Sequence, residues 1–298
     1  MTVESLRDVT HVLNNLSPEQ TRTLDDWAGQ LQGVLNTAVE QGGPAARRVK
    51  NWLNGVWLDH PLHPALTDFT VGAWCTGAVL DLVGIKRGAD AAITAGVLSA
   101  VPTALSGSAD WVDAGGESKR MGFIHAILNT VGLGLMLGSL FARRADQRGL
   151  GIVLSTIGLG LASFSAWVGG ELVYKLGTNV SRNAFQPGAE QWQAVASADA
   201  LTPGKLVGAE VEVDGTKVPV VLLKQGASIM AINGTCSHWG GPLAEGKLLD
   251  GDCVQCPWHG SQFSMRDGSV LQGPASVPQP TFDVRVQNGQ VEVRQRSS

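Results

Sequence analysis

Residues 236–263 read CSHWGGPLAEGKLLDGDCVQCPWHGSQF and hold two of the chain's six histidines and three of its four cysteines. The donors form two short groups: Cys236-x-His238, then seventeen residues, then Cys256-x-x-His259. Crowding of thiols and imidazoles in one segment is metal-ligand spacing rather than disulfide stapling, and the remaining Cys75 stands alone in an apolar run. Two thiolates and two imidazoles could hold a zinc ion tetrahedrally. A zinc finger, however, normally sets its histidines on a helix, whereas each pair here lies in a Gly- and Pro-rich stretch between β-like runs.

Those runs extend on both sides. WQAVAS, AEVEVDGTKVPVVLLKQ, ASIMAING and FDVRVQNGQVEVR alternate with period two, and Val-Asp-Gly-Thr and Gln-Asn-Gly-Gln read as hairpin turns. The expectation for residues 190–298 is a small antiparallel all-β domain, preceded by a polar linker over 176–189. Cys253, just before the second donor pair, reads as a buried strand residue rather than a ligand.

With its C-x-H-x17-C-x2-H spacing, its CPWHGSQF second loop and its Gly273-Pro274-Ala275 stretch, this third of the chain resembles a Rieske-type [2Fe–2S] domain. The resemblance implies that Cys236 and Cys256 hold one iron as thiolates and that His238 and His259 hold the other. Neutral imidazoles in place of thiolates raise the potential to roughly −150 to +300 mV, against about −400 mV for plant-type clusters. Around the ligands, Trp239 and Trp258 are expected to shield the iron, Gly260 and Pro274 to shape the loops, and Ser261 to donate a hydrogen bond. The paired loop cysteines of the family's quinol-oxidising members are replaced here by Gly241 and Trp258, and the chain's one tyrosine, Tyr174, lies outside the β domain. Fewer donors to the sulfurs imply a lower, ferredoxin-like potential. A Rieske oxygenase also carries a 2-His-1-carboxylate iron site after its cluster. The 39 residues after His259 contain no histidine, so the expectation is a protein that passes electrons rather than one that activates oxygen.

The preceding residues have a different character. Charged residues make up 16% of the chain, and between Pro64 and Tyr174 they thin out around four apolar runs, near 69–85, 91–109, 121–142 and 149–170. Each is close to the length that crosses a hydrocarbon core of ~30 Å. Small residues recur at four-residue spacing, as in Ala73/Gly77, Gly96/Ala100 and Gly134/Gly138, which suits close helix approach in lipid. The expected fold class is therefore multidomain: a four-helix transmembrane bundle over 58–175 joined to the all-β iron–sulfur domain, with both termini on one side of a bacterial cell membrane. HPLHPALTDFTVGAW, at the entry to the first run, resembles a bacterial four-helix membrane family of unknown function known by its His-Pro-Leu-His-Pro motif. Residues 1–57 read as amphipathic helices, with Ser17 capping a helix that begins at Pro18, and MTVESLRDVTHVLNNLSPEQ shows no secretory signal.

Which side carries the β domain is contested by the charges. Lys86, Arg87, Arg143, Arg144 and Arg148 in the far loops suggest that the far side is cytoplasmic, and Arg143-Arg144 resembles a twin-arginine signal. About 57 polar N-terminal residues and Arg47, Arg48, Lys50, Lys119 and Arg120 on the near side argue the other way.

Three readings of function follow. The first is a membrane-anchored carrier passing single electrons to or from a redox partner protein or the quinone pool. The second is quinol- or haem-linked oxidoreduction within one chain, with His63, His125 and Asn129 binding haem b or a quinone head group, because ionisable residues at membrane depth are functional candidates. Helix capping and cross-bundle hydrogen bonding by those histidines is the plainer alternative. The third is a redox-sensing membrane protein. A net charge of −4 argues against nucleic acid as a main partner, and membrane lipid is the expected surroundings.

Overall fold

A computed structural model describes residues 16–296. Residues 1–15 of the region read as amphipathic helices, with most of the segment read for a signal, lie outside the described residues.

Helix α1, Pro18–Gln41, starts where its sequence says it should. Ser17 accepts from the Gln20 backbone N–H and the Gln20 side chain caps Ser17 in return, a reciprocal box that satisfies two otherwise orphaned donors. Helix α2, Gly43–Leu53, follows after a single residue. Four longer helices come next: α3 His63–Leu82, α4 Lys86–Trp111, α5 Gly116–Arg144 and α6 Arg148–Tyr174. Connections of three or four residues force antiparallel neighbours. Helices α3 and α4 pack as one hairpin, α5 and α6 as another, and the two hairpins close into a bundle.

Three of these helices, α4, α5 and α6, are long and apolar enough to cross a membrane. Helix α3 falls short of the four spans expected, because its 20 residues include Asp68 and Asp81. The small residues do serve close approach, though not all where expected. A Cβ on Gly77 would meet Ile93, and one on Gly96 would meet the buried Trp74 ring at 2.4 Å. Between α5 and α6 the contact runs through Gly132 and Gly158, whose backbones touch, while Gly134 faces open space.

Two of the charges at the far end of the bundle, Arg143 and Arg148, are paired. Arg143 is buried and bonds both carboxylate oxygens of Asp81 (2.9 and 2.5 Å), Asp90 (3.0 Å) and the Ser139 and Ser155 hydroxyls. Arg148 bonds the same two aspartates at 2.6–3.2 Å. The side chain read as topogenic, or as half of an export signal, instead ties α3, α4, α5 and α6 together.

The β part consists of two antiparallel sheets. In chain order the strands are β1 (Gln193–Ser197), β2 (Leu206–Val213), β3 (Thr216–Gln225), β4 (Ser228–Asn233), β5 (Lys247–Leu249), β6 (Cys253–Gln255), β7 (Gln262–Ser264), β8 (Val270–Gln272), β9 (Thr281–Gln287) and β10 (Gln290–Gln295); the larger sheet has the order β1-β10-β9-β4-β3-β2, and the smaller is the meander β5-β6-β7-β8. Asp214-Gly215 joins β2 (Leu206–Val213) to β3 (Thr216–Gln225), and Asn288-Gly289 joins β9 (Thr281–Gln287) to β10 (Gln290–Gln295). All four turn residues have positive φ, as the two-residue hairpins of right-twisted strands require. One core cluster, around Val221, Leu223, Ile232, Leu243, Val254 and Phe263, also contains Cys236 and Cys256. The two thiols therefore sit at the edge of a packed apolar core.

Candidate metal centre

Two loops of the same construction carry the donors. The first leaves β4 (Ser228–Asn233), and the second joins β6 (Cys253–Gln255) to β7 (Gln262–Ser264). In each, the cysteine N–H donates to the carbonyl five residues on, Gly241 O at 2.9 Å and Ser261 O at 2.8 Å. In each, the cysteine carbonyl accepts from the glycine four residues on, Gly240 N at 2.8 Å and Gly260 N at 3.2 Å. Those glycines have φ of +82° and +75°, which only glycine adopts without strain. The result is two tight loops, each presenting a cysteine at its root and a histidine near its tip.

The strand pairing β5–β6–β7 brings the loops face to face. The Cys236 and Cys256 thiols lie within hydrogen-bonding reach of one another. That bond draws Cys256 below the ordinary thiol range, while the same bond and burial push Cys236 above it. The His238 and His259 rings stand 5.1 Å apart, centroid to centroid, at 87°. Burial, then His259, Lys50 and Arg182, hold His238 down at about 3, and burial also lowers His259. Both imidazoles are neutral at physiological pH, the form that binds metal.

A [2Fe–2S] cluster fits these donors on three observations. The thiols form one pair and the imidazoles another. The buried His238 Nδ1 has no hydrogen-bond partner, leaving an open lone pair in the site. A Cβ on Gly241 would stand 2.8 Å from Cys256 Sγ, so the loop closes on the thiol only because the residue is glycine. A zinc ion would need the donors round one point, and among the described residues no three His, Cys, Asp or Glu side chains form such a group.

The surrounding residues divide the two histidines. His238 is buried, whereas His259 is exposed. Trp239 is half-buried, set edge-on to His238 at 6.0 Å and covered by the Arg182 guanidinium at 4.8 Å. Trp258 is 57% exposed, so shielding falls to Trp239 while Trp258 offers its ring to solvent. Ser261 is fully buried; its hydroxyl accepts from Ala275 N at 3.0 Å, tying the second loop to the 273–275 turn and leaving its own proton to donate. Pro274, in that turn, lines a small cleft with His238, Ser237, Asn179 and Asp110 of α4.

That helical contribution was only partly visible from sequence. Asp110 is an ionisable residue at a helix end, and nothing local in the sequence signals that it lines a cleft with His238. The Lys50–Asp113 ion pair (2.5 Å), of which Lys50 acts on both histidines and Asp113 on His259, is hidden for the same reason.

His63 and His125 do meet inside the bundle, with centroids 6.2 Å apart. Their ring nitrogens are engaged. His63 bonds Thr103 O (3.0 Å) and approaches Thr67 Oγ1 (3.5 Å); His125 bonds Ser165 O (2.8 Å) and accepts from Asn129 Nδ2 (3.0 Å). Through these bonds His63 reaches α4 and His125 reaches α6.

Residues 191–283 match the family described as Rieske [2Fe-2S] domain, and residues 59–182 match the family described as Predicted membrane protein (DUF2231). Ferredoxin CarAc of Metapseudomonas resinovorans is 34% identical over 107 residues, 34% of this chain and 92% of that protein. The 3-phenylpropionate/cinnamic acid dioxygenase ferredoxin subunit of Escherichia coli (strain K12) is 34% identical over 84 residues, 28% of this chain and 78% of that one. Among solved structures, the ferredoxin of carbazole 1,9a-dioxygenase from Nocardioides aromaticivorans IC177 superposes on 36% of this chain and 99% of its own, with 29% identity and a TM-score of 0.32.

Proposed function

Since the chain belongs to the Rieske [2Fe–2S] family and joins that domain to a predicted membrane domain, we propose that it is a membrane-anchored ferredoxin. Cys236 and Cys256 would hold one iron and His238 and His259 the other, and the cluster would supply one-electron chemistry there. The protein's residues do the rest: the two cysteine loops fix the donor pairs, Trp239 and the 273–277 turn keep water from His238, and Ser261 supplies a hydrogen-bond donor. Helices α3–α6 hold the β domain at the membrane, with both chain termini on its side. Electron exchange with a second redox protein takes place at the edge formed by His259 and Trp258. The names of the similar proteins, ferredoxin subunits of dioxygenases, support a ferredoxin role of this kind.

The observation that carries the reading is the facing of a thiol pair and a neutral imidazole pair across two loops of equal construction. The test is a pair of visible spectra on detergent-purified protein, oxidised and dithionite-reduced, for the wild type and for Cys256→Ser and His259→Ala. A broad absorption that bleaches on reduction, with two irons per chain, is expected for the wild type and is lost in both variants. A colourless protein carrying zinc would overturn the cluster; a sharp Soret band would move the redox centre into the bundle. The midpoint is expected in the lower, ferredoxin-like part of the Rieske range, since no loop disulfide or nearby tyrosine adds to the Ser261 bond.

A further inference from the structure

Helix α1 packs on the rest of the protein through one narrow face and α2 fully buries no residue, and each leaves an apolar face open. On α1, Ala28 is fully buried, while Trp27, Leu31 and Val34 form a neighbouring stripe at i, i+4 and i+7. On and just after α2, Val49, Trp52 and Trp57 do the same, with the two indoles stacked at 6.0 Å. All six side chains are between 39% and 66% exposed. The far face of α1 carries Arg22, Asp26 and Glu40, so each helix is sided rather than uniformly apolar.

Their height relative to the bundle is fixed by named contacts. Ser106 Oγ of α4 donates to Leu53 O at 2.7 Å, which sets the end of α2 beside Leu105, an exposed residue on a helix able to span the membrane. Helix α4 runs only six residues further, roughly 9 Å at 1.5 Å per residue. Gln32 of α1 bonds Trp111 O (3.0 Å) and Ala114 O (2.9 Å), and Asp25 pairs with Arg120 at 3.0 Å, so α1 crosses the same end of the bundle. Interfacial amphipathic helices sink about 5–10 Å into the boundary between headgroups and acyl chains, and tryptophan is enriched there. The exposed Arg47 and Arg48 of α2 suit anionic headgroups.

We propose that α1 and α2 form a collar lying on the bilayer surface, with the Trp27/Leu31/Val34 and Val49/Trp52/Trp57 stripes in lipid. The occupant is lipid rather than another protein because these stripes continue the exposed apolar surface of α4. The proposal rests on the membrane anchoring argued above. Its consequence reaches the metal centre, since Asn51, between the lipid-facing Val49 and Trp52, accepts from Gly273 N at 3.0 Å and so ties the collar to the turn beside His238. The collar thus sets the cluster at a fixed height and tilt above the membrane.

The test uses the full chain, reconstituted in phosphatidylcholine/phosphatidylglycerol vesicles whose lipids carry bromine at acyl carbons 6 and 7. The quenched share of tryptophan emission is compared between the wild type and the triple variant Trp27→Phe/Trp52→Phe/Trp57→Phe, with the visible spectrum as a check of folding. The chain has nine tryptophans. If three lie in lipid, removing them lowers the quenched share of the remaining emission. An unchanged or larger share means that the three face water or protein, and overturns the collar. If the protein fails to float with the vesicles at all, the anchoring reading falls and the collar falls with it.

Discussion

At Gly241 a single hydrogen atom decides whether the metal centre can form. The residue occupies ordinary negative-φ backbone, so an alanine would meet no backbone strain, yet its Cβ would lie 2.8 Å from Cys256 Sγ and 3.2 Å from the Trp258 ring. Gly241→Ala should therefore leave the β fold intact and lower cluster content several-fold, measured as iron per chain alongside the circular dichroism spectrum. Full iron content in the variant would show that the loops open more freely than their hydrogen bonds suggest. The donor set itself was legible because each pair is local and its loop closes on a glycine four residues after the cysteine. The difference between the two histidines was not, because what covers His238 includes the 273–277 turn and Asp110 on α4, both remote from it in sequence.

Among the elements, the four long helices combine two kinds of cohesion. Glycine contacts let α3 meet α4 and α5 meet α6, while the hairpins are joined at one end by Arg143, Arg148, Asp81 and Asp90. Breaking a buried pair by removing one partner costs about 3–5 kcal/mol, because the other charge is stranded. Arg143→Leu should accordingly lower the unfolding temperature in detergent sharply, and Arg143→Leu/Asp81→Leu should recover part of the loss. Equal loss in the single and double variants would mean that the hydroxyls of Ser139 and Ser155 matter more than the carboxylates. Helix positions and the Ser17 start were readable from apolar runs and capping chemistry. The role of Arg143 was not, since a charge beside an apolar run looks the same in sequence whether it meets water or a carboxylate sixty residues away. The shortfall of α3 as a span has the same root, because Asp81 is tolerated there through its arginine partners.

At the scale of the whole molecule, the helical part does more than carry the β domain. The Lys50–Asp113 ion pair joins α2 to the α4–α5 connection; Lys50 lowers both cluster histidines, and Asp113 opposes it at His259. Asp113→Asn leaves Lys50 uncompensated beside the centre. A nearby positive charge stabilises the reduced, more negative cluster, so the midpoint potential should rise by up to about 60 mV, the tenfold step of a one-electron equilibrium. Redox titration of the purified variant checks the sign; a fall would mean that Lys50 leaves the site when its partner is removed.

The unequal exposure of His238 and His259 has a kinetic consequence. A carrier with one open edge has one door for electrons, and a donor and an acceptor that both use it cannot be bound together. Delivery then follows a turnstile rule: load, release, turn to the second partner, unload. The overall rate is set by how fast each partner leaves, and excess reduced donor should slow the acceptor by occupying the door. For a chain held in the plane of a membrane, partners diffusing in that same plane would meet this constraint at every cycle.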